Sequence, residues 1–593
     1  MSDSFKKQAK AAGARAARLV APDALRGLIV VLMALDHANH FVAQQHSSGE
    51  YWGGAFPTYS DGLAFLTRFV THFCAPGFFL LMGVGMALLA RARLARGATR
   101  WQVIRHFWIR GAMLIALQFL VVNLAWTLSP GGWDIQIYAG VLFALGGAMI
   151  VGSLFLWLRP AYLLGLSLAL LIGTELLVPD PALWGAGRSV ATLLFLLPGG
   201  IASSEGGMLL WSNYQMLPWL ELATLGLVFG HWLADDPRKA FGRAWKLGLA
   251  CLAAFVVVRA LDGFGNIRPR LGDTWIDVLN VVKYPPSIAF TLLTTGLNLG
   301  LLWFFSRAGE RSRRFLRPLV VFGQAPLFFY VQHLFLYMAL GHLFAPTGIG
   351  LPAMYLFWLA GLLILYPLCL AYGWFKRHQP AHRGLRLAWD WIVPVFGPLG
   401  LLAFWLDYRQ AGGSAWRRAL SATAYSVIGN TAGLLTLLAF CYFFLPNASI
   451  GPVLLLAPLL VGWLAFQAPL LDARLAIGYP RAAGRALLGE MISTFLVLAG
   501  LFPVLYLGTI RAMGGHNDLA QPAWWAIVGL AALAGALVAY PFHLWQARRG
   551  LDGVVVVEGV TSPLTPSLRS AWPVLLLSFA LLVASLGLTM GLA

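Results

Sequence analysis

Asp36, His37 and His40 stand at the end of residues 23–40, DALRGLIVVLMALDHANH. An imidazole that titrates near neutrality serves as a general base or an acyl acceptor, and a carboxylate beside it orients and charge-stabilises it. On a helix His37 and His40 are three apart and Asp36 and His40 four apart, so each pair can meet on one face. The apolar run 27–35 is too short to cross a bilayer, which takes about 20 residues at a rise of about 1.5 Å each. The helix must therefore carry the polar triad inside the membrane. Counted from Asp23, Asp36 lies about 20 Å along the axis, in the far half of a hydrocarbon core about 30 Å thick. Ionisable groups at that depth are costly, face a bundle interior or a wet cavity, and mark a functional site by default.

The rest of the chain supplies that bundle. Of 593 residues 59% are hydrophobic and 11% charged, with a mean hydropathy of +0.74; a soluble globule is excluded. Long apolar runs, 24 Trp and 64 Gly suit helices with aromatic belts and close contacts, whereas a β-barrel would show short alternating segments. The expected class is all-α, a polytopic bundle of about ten spans with a C-terminal membrane domain of five or six more. The net charge of +19 sits in short clusters between apolar segments, which reads as topology signal and anionic-lipid contact rather than nucleic-acid binding. The spans are expected near 23–44, 63–90, 106–127, 136–157, 161–178, 217–234, 247–262, 284–306, 318–343 and 352–374. Basic residues fill alternate loops, among them Arg91 to Arg105, Arg238 to Lys246 and Arg307 to Arg317. The positive-inside rule then puts the N-terminus in the cytoplasm. The outer segment 179–216 holds an apolar piece too short to span, expected as a re-entrant or interfacial helix.

This topology gathers histidines on the outer side. His37 and His40 end the first span, His46 lies in the first outer loop, His72 opens the second span, and His342 ends the ninth with His333 deeper in it. Lys283 and Tyr284 open the eighth from outside. His46, among Gln44, Gln45, Ser47 and Ser48, reads as an ordinary exposed loop residue. The four cysteines lie singly in apolar segments, so no disulfide framework is expected. No H-E-x-x-H or tight ligand spacing is present, and no metal is expected. Gly83 and Gly85 follow no strand and belong to helix packing.

The segments DALRGLIVVLMALDHANHF, FLTRFVTHFCAPGFFLLMGVGMAL, MLPWLELATLGLVFGHWL, VLNVVKYPPSIAFTLLTTGLNL and FGQAPLFFYVQHLFLYMALGH resemble successive motifs of the bacterial branch of the heparan-α-glucosaminide N-acetyltransferase family, over about residues 20–375. The resemblance implies a membrane acyltransferase of the inner membrane. Such an enzyme would move an acetyl group from cytosolic acetyl-CoA to an acceptor, typically a sugar, on the far side. In the animal enzymes of the family the reactive histidine lies in or near the first luminal loop, which His46 occupies here, but His37, His40 and His72 sit in the more motif-like contexts DHANH and THFCAP. His72 and His37 are therefore read as the acid–base or acyl-relay pair, with Asp36 and His40 in support and Lys283, Tyr284, His333 and His342 as acceptor-binding groups. Arg26, Arg105 and Arg110 would meet the phosphates of CoA at the inner mouth. Expected partners are the bilayer, acyl-CoA and a glycan or other small acceptor, with no nucleic acid; homo-oligomerisation stays open. The alternative reading is a proton-coupled transporter lined by Asp36, His37 and His333.

The chain divides into a basic arm (1–22), the acyltransferase-like domain (23–375), a basic linker (376–387) and a second membrane domain (388–593). The last, in WDWIVPVFGPLGLLAFWLDYRQ and WWAIVGLAALAGALVAYPFHLWQARRG, more distantly resembles a small uncharacterised bacterial membrane domain. Members of that group usually carry His and Cys soon after the first motif. SATAYSVIGNTAG holds neither there, so a structural or partner-binding role is expected.

Overall fold

A computed structural model describes residues 20–47, 50–55, 57–178, 189–203, 206–380, 382–408, 414–444, 453–515, 521–549 and 568–592. The chain is a helical membrane protein, as its composition requires. Twelve helices among the described residues are long and apolar enough to cross a membrane. They fall into two compact units, one of residues 1–119 and 134–369, the other of residues 120–133 and 370–593.

In the first unit α1 (Val20–Ala38) continues as a π-turn, Asn39–Ala43. Helix α2 (Gly62–Phe69) passes through a 3₁₀ turn, Val70–Phe73, into α3 (Cys74–Leu94). Then come α4 (Arg100–Leu117), strand β1 (Ile135–Ala139), α5 (Val141–Gly152), α6 (Pro160–Leu177), α7 (Val190–Phe195), β2 (Gly199–Ala202) and β3 (Met208–Ser212). The unit closes with α8 (Met216–Asp235), α9 (Pro237–Leu261), α10 (Trp275–Leu279), α11 (Ile288–Ser306), α12 (Glu310–Gly323), α13 (Pro326–Phe344) and the first part of α14 (Leu351–Arg377).

Small residues let the helices approach, as expected where lipid removes the hydrophobic drive for association. Gly83 on α3 lies against the backbone of Ala223 and Leu227 on α8, and Gly226 against the Leu80 carbonyl. Gly27 of α1 and Gly323 of α12 touch each other's helix backbone in the same way. Gly85 meets no side chain or backbone of another element, so only one member of the Gly83/Gly85 pair is a packing residue. An apolar core of Met86, Ala87, Val103, Phe107, Leu163, Leu227 and Val228 joins α3, α4, α6 and α8.

Two expected spans need correction. Residues 136–157 do not form one helix: α5 has 12 residues, about 18 Å, and the preceding Ile135–Ala139 pairs in parallel with β3. β2 joins β3 antiparallel, so the outer segment 179–216 holds a short helix in the apolar piece where one was expected and, after it, two strands of a three-stranded sheet. Alternating Gly and apolar residues were too few to signal strands inside so apolar a sequence. The ninth span, 318–343, is broken: Gly323 ends the amphipathic α12, and Pro326 at the first turn of α13 starts a new helix, because proline lacks the N–H that would continue the ladder.

The second unit contains α15 (Arg383–Tyr408), α16 (Ala415–Phe444), α17 (Val453–Leu460), α18 (Ala468–Leu475), α19 (Tyr479–Met513), α20 (Pro522–Arg548) and α21 (Leu568–Leu592). α15 kinks at Gly397 (φ 53°), between Pro394 and Pro398. α17 and α18 are joined by a π-turn, Val461–Gln467. Leu434, Val497, Leu501, Ala531 and Ala539 form the core of α16, α19 and α20.

Candidate active site

The centre of the first unit's polar cluster is Arg68, in the last turn of α2 and 3% exposed. Its guanidinium forks onto Glu50, with Nε 2.6 Å from Oε1 and Nη2 on Oε2, and its Nη1 reaches Asp36 Oδ1. Two carboxylates thus share one buried cation. The Thr71 hydroxyl donates to Asp36 at 2.9 Å and receives Arg68 Nη1 at 3.2 Å. Burial by itself would raise the Glu50 carboxyl, but Arg68 and then His72 outweigh it and hold the group well below the usual carboxylate range.

Each carboxylate carries a histidine. His72 Nε2 lies 3.1 Å from Glu50 Oε1, so the ring donates from Nε2 and its Nδ1 is a lone pair with no hydrogen-bond partner among the described residues. His46 Nε2 lies 3.4 Å from Asp36 Oδ1. The His72 side chain is 2% exposed and that of His46 22%, so His46 is the member of the two dyads that faces outward. His40 packs edge-on against it, ring centroids 5.8 Å apart. The π-turn at Asn39–Ala43 carries His40 and ends on Gln44 in the left-handed region (φ 55°). Gln44 Nε2 bonds the Ala345 and Pro346 carbonyls at 3.2 and 3.1 Å. Such π-turns recur at functional sites because they re-aim side chains within a helix.

A second pair lies deeper. His37 Nδ1 is 2.6 Å from His333 Nε2, and His333 Nδ1 is 2.9 Å from the Phe329 carbonyl. A carbonyl only accepts, so His333 carries its proton on Nδ1 and His37 donates to Nε2.

The loop before α11 closes the site. Lys283 and Tyr284 give their backbone N–H groups to the Glu50 carbonyl, at 3.2 and 3.3 Å, and Trp52 N–H donates to Tyr284 O at 2.7 Å. This pins Glu50 to the KYPPS segment. Arg259, 2% exposed, holds the same loop through the carbonyls of Asp277, Val278 and Asn280 and through Asn266. The Lys283 side chain is buried with its ammonium 5.0 Å over the Tyr284 ring. Burial, then Arg68, lowers the ammonium to about 8, against the opposing pull of Glu50 and Asp36. Beside this loop a cleft of about 330 Å³ is lined by Trp52, Glu175, Asp262 and Arg268 among others.

The catalytic-domain model of the family Heparan-alpha-glucosaminide N-acetyltransferase matches residues 18–260. That region is therefore similar to the family's catalytic domain. The matched region contains Asp36, His37, His40, His46, Glu50, Arg68 and His72, while Lys283, Tyr284 and His333 come from beyond it. Residues 415–552 match a second model, Domain of unknown function (DUF4396). No curated protein matches the chain.

Within the first unit, Asp36, His40, His72 and Lys283 gather around Arg68, and Tyr284 closes the loop with its hydroxyl on Tyr214 at 3.1 Å. His342 lies nine residues past His333 on α13, about 13 Å further along the axis. Arg26 pairs with Asp23 at 3.0 Å and reaches the Gly323 carbonyl at 3.2 Å. Arg105 and Arg110 stand exposed on α4. Arg68 and Glu50 were missed by sequence reasoning, and His46 was assigned to an exposed loop. Arg68 carried a usable signal: a lone arginine in the apolar run FLTRFVTHF, one helical turn before His72. Glu50 carried none, because only the tertiary fold brings that loop onto α2.

Proposed function

We propose that the first unit is an integral membrane acyltransferase that carries an acyl group, acetyl in the first instance, from cytosolic acyl-CoA to a sugar on the opposite side of the inner membrane. The N-terminus is cytoplasmic in this reading. The observation that carries it is the pair of histidine–carboxylate dyads on one buried arginine, about 15 Å up α1 from Arg26. Arg26, Arg105 and Arg110 supply cations for the phosphates of CoA at the basic end.

At the other end Asp36 holds the Nε2–H of His46, leaving Nδ1 to take the proton of the acceptor amine or hydroxyl. The freed lone pair attacks the thioester carbonyl; the C–S bond breaks and the sulfur leaves as the thiolate that becomes CoA on protonation. Charge on the carbonyl oxygen is met by Lys283 while its ammonium is protonated. Arg68, gripped from both sides, keeps the two dyads in register. Trp52 gives a sugar ring an apolar face, and Arg268 and Asp262 line the same cleft.

The test is release of CoA from acetyl-CoA by the purified protein in liposomes, with a panel of amino sugars. Activity is expected, with His46→Ala and His72→Ala each losing about a hundredfold or more in turnover. Unchanged turnover in both variants would overturn the assignment.

A further inference from the structure

The second unit holds a chain of buried polar groups for which acyl transfer has no use. Glu490, on α19, is 2% exposed in a helix long and apolar enough to span the membrane. Asn430 Nδ2 donates to its Oε1 at 3.3 Å and Thr494 Oγ1 at 3.5 Å, and Gln467 bonds the same carboxyl. All three are neutral, and among the described residues no Lys, Arg or His forms an ion pair with Glu490. An ionised carboxylate would stand in hydrocarbon without a counter-charge, which is costly; a bound proton removes the charge. That proton needs an acceptor. Asn430 Oδ1, on the amide already bonded to the acid, is buried with no partner among the described residues, as is Thr431 Oγ1 beside it in sequence.

From Asn430 the bonds run one way. Asn430 Nδ2 reaches Ser426 Oγ at 3.2 Å, Ser426 Oγ lies 2.6 Å from Ser493 Oγ, and Ser493 Oγ lies 2.9 Å from His543 Nε2. On the far side of the ring, His543 Nδ1 is 2.8 Å from Thr423 Oγ1, whose own hydroxyl donates to the Ala419 carbonyl at 2.8 Å. Thr423 can then only accept from the imidazole. His543 therefore carries its proton on Nδ1 and presents a lone pair on Nε2, at the end of a file of hydroxyls. Ser493, Ser426 and His543 are each buried. The groups facing His543 are Thr423, Ser493 and the neighbouring Phe542 ring, none of them charged.

We infer that this unit binds a proton at Glu490 and relays it to His543 through Ser426 and Ser493, making an intramembrane proton path. As the Ser493 hydroxyl proton moves to His543 Nε2, Ser493 Oγ takes the proton of Ser426. Ser426 Oγ is refilled from the Glu490 acid through one water molecule. One O–H bond breaks at Glu490 and one N–H bond forms at His543, with no electron transfer. Ser–His–Glu files of this kind serve proton movement in membrane proteins because each hydroxyl both gives and takes a proton.

The experiment uses the full chain in liposomes enclosing a pH-sensitive dye, with a potassium diffusion potential driving protons inward and no acyl-CoA present, so that the outcome is independent of acyl transfer. The intact protein is expected to acidify the lumen faster than protein-free vesicles. Glu490→Gln and Ser493→Ala should fall to the protein-free rate while eluting as folded protein, and Ser493→Thr, which keeps the hydroxyl, should retain flux. Infrared spectra should show the carbonyl band of a protonated carboxylic acid that Glu490→Gln removes. Flux in the intact protein equal to that of empty vesicles, or unchanged by both Glu490→Gln and Ser493→Ala, overturns the inference and leaves a static network. If Glu490→Gln does not fold, the contrast between Ser493→Ala and Ser493→Thr decides by itself.

Discussion

At the scale of single residues the first unit is arranged around Arg68. Removing one partner of a buried ion pair costs more than the pair is worth, because it strands an uncompensated charge. Arg68→Gln strands two carboxylates, Asp36 and Glu50, and is expected to lower stability by about 3–5 kcal/mol, read as a fall in the thermal midpoint in detergent. Arg68→Lys should recover only part of this, since an ammonium cannot make the two-toothed contact seen at Glu50. Lys283 supplies a pH dependence. Its ammonium is held down to about 8, so above that pH the folded protein presents a neutral amine. A turnover that uses the cation should then decline as pH rises through about 8. Lys283→Met should be slow at all pH values and lack that descending limb in a rate–pH profile. A limb that persists in Lys283→Met would assign it to another group.

At the scale of elements, the close glycine contacts decide where helices can meet. A Cβ at Gly83 would press on the Ala223–Leu227 backbone of α8, which cannot move away as a flexible side chain would. Gly83→Ala is expected to cost about 1–3 kcal/mol. Gly85→Ala, two residues on and facing open space, should be neutral or gain up to about 1 kcal/mol from helix propensity. Thermal unfolding of the two variants side by side checks this, and equal effects would mean that the α3–α8 contact is not close. Likewise the π-turn after α1 and the 3₁₀ turn after α2 fall where the two elements bring Asp36, His40, Arg68 and His72 together. The extra and missing backbone hydrogen bonds there re-aim side chains that a regular helix would direct elsewhere.

At the scale of the whole molecule, the alternation of basic loops is the ground for the proposed sidedness. Ser60 and Arg96 are both exposed, at opposite ends of the segment that spans Gly62–Leu94. A membrane-impermeant maleimide is expected to label Ser60→Cys in intact cells and Arg96→Cys only after permeabilisation; the reverse pattern would invert the proposed direction of transfer. Of the native cysteines, Cys74 and Cys369 are buried.

The amino-acid sequence by itself determined that the chain lies in a bilayer, that it is helical, and that one helix carries Asp36 and His37 into the membrane. Apolar length and charge alternation are properties of the chain in lipid and need no knowledge of partners. Five ordered motifs pointed to the family, and the first three lie within residues 18–260, the region that its model matches. Only the tertiary structure decided who pairs with whom. Glu50 meets Arg68 across 18 residues, His37 meets His333 across 296, and Ser493 meets His543 across 50. None of these separations has a period that a helix or strand could betray. The sheet of β1, β2 and β3 was hidden for the same reason: its strands are short, and their register exists only once the helices have brought them side by side.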